Sequence, residues 1–228
     1  MIFLLLLLAG LPLREFPAKK SGDTIAIILT GDGGWRRIDE KVTRQLHQHG
    51  VSVVGFLTPD YFEERRTPLE SARALERTIR YYQLKWHRSR VILIGYSRGA
   101  DVLPFMANRL SPQLRSQIDL IALLGLESTI DFKYHASWIP FYHPKEPQFP
   151  VKPEVEKLRG QKILCVYGEK EKDTLCKALD PSLAMVVGTK GAHHFAGNVK
   201  WTWTPQSATL PLKGTIVFTK DSGGGSGG

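Results

Sequence analysis

The chain is poor in the residues that build metal and redox centres, and its apolar runs are short. Only two of its 228 residues are cysteine, and Cys165 and Cys176 lack the Cys-x-x-Cys spacing of zinc and redox motifs. The longest apolar run covers residues 2–9, whereas a membrane-spanning helix needs about 20 residues. We therefore expect no metal and no cofactor.

Basic runs interleaved with aromatic residues, which are typical of nucleic-acid-binding proteins, are also missing, so we expect no nucleic-acid partner. Basic residues are nevertheless in excess, with 31 Lys and Arg against 22 Asp and Glu. Such an excess favours contact with an anionic surface, for example phospholipid headgroups.

The two ends of the chain differ in composition from the middle. Residues 1–10 resemble the apolar core of a secretory signal and are interpreted as a truncated export segment. Residues 221–228 form a Gly/Ser-rich tail. Residues 11–220 between them are predicted to form one domain.

Strand and helix patterns alternate along that domain. Helical spacing occurs at 39–49, from Pro68 onward, at 100–110 and at 153–158. Continuous apolar runs predict buried strands at 24–29, 51–57, 91–94, 118–126, 162–167 and 183–187. The alternation predicts an α/β fold of the α/β-hydrolase type, with a mostly parallel central sheet flanked by helices and ligands at the carboxyl ends of the strands. Residues 132–150, rich in aromatics and proline, are interpreted as a lid or pocket wall.

The segment Gly-Tyr-Ser-Arg-Gly at 95–99 lies between a predicted strand and a predicted helix. A G-x-S-x-G pattern in this context is typical of a nucleophile elbow, in which a sharp turn exposes the serine hydroxyl above the sheet. The pattern therefore predicts that Ser97 is a catalytic nucleophile.

A serine nucleophile needs a base to take its proton and a carboxylate to orient that base. Acid candidates follow the strand at 162–167, and two adjacent histidines follow the strand at 183–187; the order Ser, acid, His is that of α/β-hydrolases. We favour Asp173, counting back from the following helix, with Glu171 as the alternative. Comparison with the Gly-Ala-x-His-Phe pattern of common hydrolases favours His194 over His193.

The reaction also needs backbone N–H groups that stabilise the oxyanion of the tetrahedral intermediate. The residue after the nucleophile and the earlier glycine-rich loop supply them in this class of fold, which points to Arg98 and Asp32. No Gly-Lys-Ser/Thr follows that loop, so it is not expected to bind a nucleotide. The residues expected to line the substrate site are Gly33, Gly34, Trp35, Tyr96 and Asp101.

Several blocks together resemble the VirJ/AcvB family of bacterial virulence proteins over roughly residues 11–198. They are Thr-Gly-Asp-Gly-Gly-Trp at 30–35, the elbow block at 95–105, Cys-Val-Tyr-Gly at 165–168 with Glu171, Asp173 and Cys176, and Gly-Ala-His-His-Phe at 191–195. Where the family carries a closing helix, the chain after residue 198 reads as strand.

The resemblance implies a periplasmic serine hydrolase-like domain. For AcvB-type members it implies cleavage of lysyl-phosphatidylglycerol, and for VirJ an association with type IV secretion. The expected partners are thus an aminoacylated phospholipid, an anionic membrane surface and secretion-system proteins, and Asp101 or Asp32 would bind the substrate ammonium. In an exported protein Cys165 and Cys176 could form a disulfide. The alternatives are a non-catalytic accessory protein of secretion and a generic lipase or esterase.

Overall fold

A computed structural model describes residues 8, 10–134 and 148–195, together with the backbone at 201–204 and 215–218. Most of the proposed export segment, most of the proposed lid and the Gly/Ser-rich tail lie outside the described residues.

Eleven strands are described, and seven of them form the central sheet, in the order β1-β3-β2-β4-β5-β8-β9. Their bounds are β1 Leu13–Phe16, β2 Thr24–Leu29, β3 Ser52–Phe56, β4 Arg90–Tyr96, β5 Ile118–Leu124, β6 Thr129–Ile130, β7 Phe149–Pro150, β8 Ile163–Gly168, β9 Met185–Thr189, β10 Trp201–Thr204 and β11 Thr215–Phe218.

The sheet is parallel except at one edge, where β1 runs antiparallel to β3. Strand β2 is buried along its whole length, as expected of a strand that is covered on both faces and therefore reads as a continuous apolar run. The prediction of a mostly parallel α/β sheet is confirmed. The short strands β6 and β7 pair with each other, as do β10 and β11.

Helices cover both faces of the sheet. Val42 and Leu46 of the first helix pack on one face, and Leu75 and Ile79 of the third helix pack on the other. None of the described helices combines the length and apolar character needed to cross a bilayer. The helices are α1 Arg37–Gln48, α2 Thr58–Tyr61, α3 Pro68–Trp86, α4 Arg98–Asn108, α5 Pro112–Arg115 and α6 Lys152–Glu156, with a 3-10 helix at Leu175–Ala178.

The last strand of the sheet differs from the sequence prediction, which placed a core strand at 183–187. The observed β9 starts two residues later and forms an edge of the sheet, since only β8 pairs with it. Met185 and Val186 are consequently 61% and 37% exposed. The buried residues Leu183 and Ala184, which gave the segment its core-like pattern, belong to the turn that precedes the strand.

Cys165 on β8 and Cys176 in the 3-10 helix form a disulfide, which confirms the predicted pairing. Their Cα atoms lie 5.5 Å apart, and both residues are fully buried. The loop that the disulfide closes contains both acid candidates, Glu171 and Asp173.

Candidate active site

Ser97 occupies the sharp turn between β4 and α4. Its φ and ψ of 52° and −124° are strained values for a residue with a side chain. Two backbone contacts hold the turn: Ser97 N–H donates to the carbonyl of Leu124 (2.8 Å), and Ala100 N–H donates to the carbonyl of Ser97 (2.7 Å). The structure therefore contains the nucleophile-elbow geometry that the 95–99 pattern predicts.

Gly95 shows why this turn requires a small residue before the serine. A Cβ atom on Gly95 would lie 2.6 Å from the backbone nitrogen of Ala100, well inside van der Waals contact. The strand and the helix can therefore approach each other at the elbow only because the side chain is missing.

His193 is the histidine that contacts Ser97. Its Nε2 lies 2.8 Å from Ser97 Oγ, and its Nδ1 lies 2.7 Å from Glu171 Oε1. An ionised carboxylate can only accept a hydrogen bond, so Nδ1 carries the proton and Nε2 accepts the proton of the serine hydroxyl. This is the tautomer that a general base for Ser97 needs.

Glu171 is held in place by a tight turn after β8. Its N–H donates to the carbonyl of Gly168 (2.8 Å), and its Oε2 accepts from the N–H of Gly168 (2.9 Å). The side chain is 10% exposed, against 31% for His193. One carboxylate oxygen thus bonds the backbone and the other the imidazole, which fixes both groups.

The sequence analysis favoured Asp173 and His194, but the geometry differs. The structure brings their alternatives, Glu171 and His193, together with Ser97. The turn at Gly168 folds the longer Glu171 side chain back toward His193, whereas Asp173, two residues later, is exposed. His194 is also exposed, and its Nδ1 lies 2.8 Å from the hydroxyl of Tyr96.

Tyr96 connects the elbow to the histidine loop. Besides the contact with His194, its hydroxyl donates a 3.4 Å hydrogen bond to the carbonyl of His193, and its ring lies 5.6 Å from the His193 ring. Burial, followed by the charges of Asp39 and Glu171, raises the pKa of Tyr96 to about 12, so the hydroxyl stays protonated and can donate. Tyr96 therefore acts as a support for the loop, a role that the sequence analysis did not assign to it.

Gly125, at the carboxyl end of β5, leaves room for the His193 ring. Its φ is +65°, and a Cβ atom there would lie 2.8 Å from Cε1 of His193. The sequence analysis did not select this position, because it placed Gly125 inside the strand predicted at 118–126, whereas the observed β5 ends at Leu124.

The loop at 31–34 lies against the elbow, as expected for a loop that contributes to an oxyanion site. A side chain on Gly31 would begin 3.2 Å from Cβ of Ser97. Within the described ranges, the backbone N–H groups of Asp32 and Arg98 make no hydrogen bond to another backbone group. Gly33 and Gly34 complete the turn, in which Gly34 N–H donates to the carbonyl of Gly31 (3.0 Å).

The Arg98 side chain ties this loop to a third segment. It forms an ion pair with Asp32, and its Nη1 lies 3.2 Å from Asp131 Oδ1 and 3.1 Å from the Lys133 carbonyl. Burial opposes the charge of Arg98, but Asp32 and Asp131 outweigh it and raise the pKa of the guanidinium. The positive charge beside Ser97 is therefore compensated by two carboxylates.

Two residues expected to contact substrate are placed elsewhere. Asp101 is 3% exposed and accepts a hydrogen bond from Glu127 N–H (2.8 Å), and its burial raises its pKa well above the usual range. Such a group cannot meet a substrate ammonium at the surface of the site. Trp35 stacks on Phe16 of the edge strand β1, with ring centroids 4.5 Å apart, and β1 is separated from β4 by two other strands.

A cavity of about 420 Å³ adjoins the pair of Glu171 and His193. Carboxylates from two loops line it, Glu127 after β5 and Asp173 after β8, and Lys172 brings one positive charge. Asp173, which is not hydrogen-bonded to either histidine, thus belongs to the wall of this cavity. The other lining residues are Gly125, Leu126, Ser128, Thr129 and Thr174.

Solved structures with the same architecture show which fold this is. Est1E from Butyrivibrio proteoclasticus superposes with a TM-score of 0.55 at 14% identity, over 82% of this chain and 88% of that chain. A proline iminopeptidase from Mycobacterium smegmatis gives 0.56 at 10% identity, over 82% and 89%. An esterase from Pyrococcus furiosus gives 0.51 at 13% identity, over 80% and 82%. The sheet order, the elbow and these similarities define an α/β-hydrolase fold.

Residues 23–202 match the bacterial virulence protein (VirJ) family, and the chain belongs to that family. A comparison with curated proteins found no match.

Proposed function

We propose that this protein is a serine esterase that uses Ser97 as nucleophile, His193 as base and Glu171 as the group that orients the base. The observation that carries the proposal is the continuous hydrogen-bonded chain from Glu171 through His193 to Ser97. This arrangement favours catalysis over binding alone, because a protein that only binds a partner does not need a base beside a serine hydroxyl.

The reaction has two steps. In the first, Ser97 Oγ attacks the ester carbonyl while His193 Nε2 takes its proton; the intermediate then collapses, and His193 returns the proton to the leaving alcohol. In the second, water attacks the acyl-enzyme with His193 again as base, which releases the acid and restores Ser97. The N–H groups of Asp32 and Arg98 would stabilise the oxyanion in both steps.

The substrate we propose is the aminoacyl ester of a phosphatidylglycerol lipid, with lysine as the amino acid. The family resemblance supports this choice, and so do Glu127 and Asp173, whose carboxylates in the cavity beside His193 suit a cationic ammonium. Asp32 is a weaker candidate for this role because Arg98 already compensates its charge.

We further propose that the protein works in the bacterial periplasm. The family supports this location, and a disulfide such as Cys165–Cys176 persists in an oxidising compartment.

A second candidate is a non-catalytic accessory role in type IV secretion, which membership of the VirJ family favours. The two roles differ in one measurable property, the reactivity of Ser97. A fluorophosphonate probe should label Ser97 of an esterase, whereas an accessory protein with an unactivated serine should remain unlabelled.

The decisive experiment incubates the purified protein with lysyl-phosphatidylglycerol and follows the release of lysine and of fatty acid separately. We expect lysine release, and Ser97→Ala should lower its rate by at least about 10³-fold while the fold stays intact. Fatty acid release without lysine would replace the proposal by a lipase. No turnover of any ester together with no probe labelling would favour the accessory role.

A further inference from the structure

Helix α3 presents an unusual outer face. Leu69 and Leu84 are 48% and 56% exposed, and Arg73 and Arg80 are exposed between them. With 100° per residue, these four residues lie within an arc of about 60° on the helix. The face thus combines two exposed leucines with two cations, although the inner side of the same helix is fully packed on the sheet.

An open cleft of about 730 Å³ runs along this face and is lined by four arginines: Arg66, Arg73, Arg77 and Arg80. Two acidic residues also line the cleft. Glu70 caps the start of α3 by accepting from Thr67 N–H (2.7 Å), and Glu76 pairs with Arg80 of the cleft itself (2.7 Å). Four arginines against two glutamates leave the cleft with a positive excess.

The arginines of this cleft suit a phosphate ligand. A guanidinium group binds phosphate oxygens with paired N–H donors, and four such groups line one cleft.

We propose that this face of α3 docks on the surface of an anionic phospholipid bilayer. Phosphate recognition alone would also suit a small soluble anion, but that ligand offers nothing to Leu69 and Leu84. A helix face of arginines with flanking leucines matches the boundary between lipid headgroups and acyl chains, where both kinds of side chain find partners.

The position of the face also suits an enzyme that acts on lipid. Helix α3 connects the parallel strands β3 and β4 and runs back along the sheet, so its first turn, which bears Leu69, lies at the carboxyl edge of the strands, as Ser97 does. Arg66, which precedes the helix, donates its N–H to the carbonyl of Phe132 (2.9 Å), and the neighbouring Asp131 is bonded to Arg98. Binding to a bilayer does not itself require the proposed esterase activity.

The test measures co-sedimentation of the full chain with vesicles, in a Ser97→Ala background that leaves the lipid intact. We expect binding to vesicles rich in phosphatidylglycerol and much weaker binding to phosphatidylcholine alone. Each arginine at an anionic surface contributes about fivefold to affinity, so Arg73→Gln with Arg80→Gln should weaken binding by about 25-fold. Binding by the parent Ser97→Ala protein should also fall at about 1 M salt, where the Debye length is about 3 Å.

The matched control is Arg37→Gln with Arg44→Gln, which removes the same charge from exposed positions on α1, across the sheet. This pair should change binding by less than about fivefold. A second variant, Leu69→Ser with Leu84→Ser, should weaken binding by about tenfold without changing the slope against salt, because it removes only apolar contacts.

Three results would overturn the docking proposal: equal loss of binding in the α1 and α3 charge variants, no loss in either α3 variant, or full displacement from vesicles by soluble glycerol phosphate. Circular dichroism of each variant checks that the fold is retained. Because the assay uses an inactive serine variant, its outcome is separate from that of the esterase test.

Discussion

The adjacent residues His193 and His194 make different contacts, and their substitutions should therefore have different effects. Because His193 contacts both Ser97 and Glu171, His193→Ala should lower kcat/KM for a simple ester about as much as Ser97→Ala. His194→Ala removes the contact with the Tyr96 hydroxyl and an edge-on contact with the His193 ring (5.8 Å), but no bond to Ser97 or Glu171, and should cost about tenfold or less. Steady-state kinetics of the three variants measure the ranking, and a larger loss for His194→Ala would reassign the base.

The two carboxylates of the loop after β8 can be separated in the same way. Glu171→Gln keeps the shape of the side chain but removes the charge that orients and stabilises His193, so kcat should fall by about 10³-fold or more on any ester. Asp173→Asn should leave kcat for a neutral ester unchanged and raise KM for the lysyl ester, because Asp173 lies in the cavity wall.

A neutral and a cationic ester measured side by side give the required comparison. If Asp173→Asn abolished turnover of the neutral ester, the acid would be Asp173 and the hydrogen-bonded chain would not describe the working site.

At the level of the elements, helix α1 starts with a buried carboxyl group. Asp39 is 2% exposed, and its Oδ2 accepts from Arg36 N–H (2.8 Å). Burial raises the pKa of Asp39 from 3.8 to about 6, although the hydrogen bond from Arg36 N–H acts in the opposite direction. At neutral pH the Asp39 carboxylate at the start of α1 therefore lowers the stability of the fold, because a charged group is then buried.

This cost predicts a pH dependence of stability. Between pH 4 and 6 the folded state keeps the Asp39 proton and the unfolded state loses it, so the stability contributed by this group falls as pH rises. Asp39→Asn accepts the same hydrogen bond without titrating. Relative to wild type, this variant should gain up to about 3 kcal/mol in the free energy of unfolding from pH 4 to pH 7, which corresponds to the change from 3.8 to about 6.

Urea denaturation of both proteins across that pH range measures the difference. A difference that stays constant with pH would mean that Asp39 ionises in the folded protein as it does in the unfolded one.

At the level of the whole molecule, the disulfide joins the sheet to the loop that carries Glu171. Cys165 and Cys176 are 11 residues apart, and closing a loop of this length lowers the entropy of the unfolded chain enough to stabilise the fold by about 3 kcal/mol. Cys165→Ala with Cys176→Ala should therefore reduce the free energy of unfolding by about that amount.

Activity of the folded variant should change much less. Backbone hydrogen bonds from Lys170 to Gly191 (2.9 Å) and from Leu175 to Leu126 (2.9 Å) hold the loop independently of the disulfide. Mass spectrometry of unreduced peptides tests the pairing, and two free thiols in periplasmic material would contradict it. Unchanged stability of the double variant would mean that the unfolded chain is not restrained by the bond.

The sequence by itself determined the features that depend on local patterns. Continuous apolar runs specify the strands of a parallel sheet, because both faces of such strands are covered, and they led to the correct fold class. The elbow was readable because its glycines, its serine and its position between strand and helix all lie within a few residues. The Cys165–Cys176 pairing was readable because the sequence has only these two cysteines, and they flank a single strand-to-loop segment.

Only the tertiary structure decided between neighbouring candidates. His193 and His194 are adjacent, and the two acid candidates, Glu171 and Asp173, are two residues apart in one loop. Sequence spacing does not reveal which side chain of such a pair turns toward Ser97. The bonds between Glu171 and Gly168 and between Tyr96 and the histidine loop decide this, and they join segments up to 98 residues apart. Burial of Asp101 and the edge position of β9 have the same origin, because exposure depends on which elements pack together and not on the local order of residues.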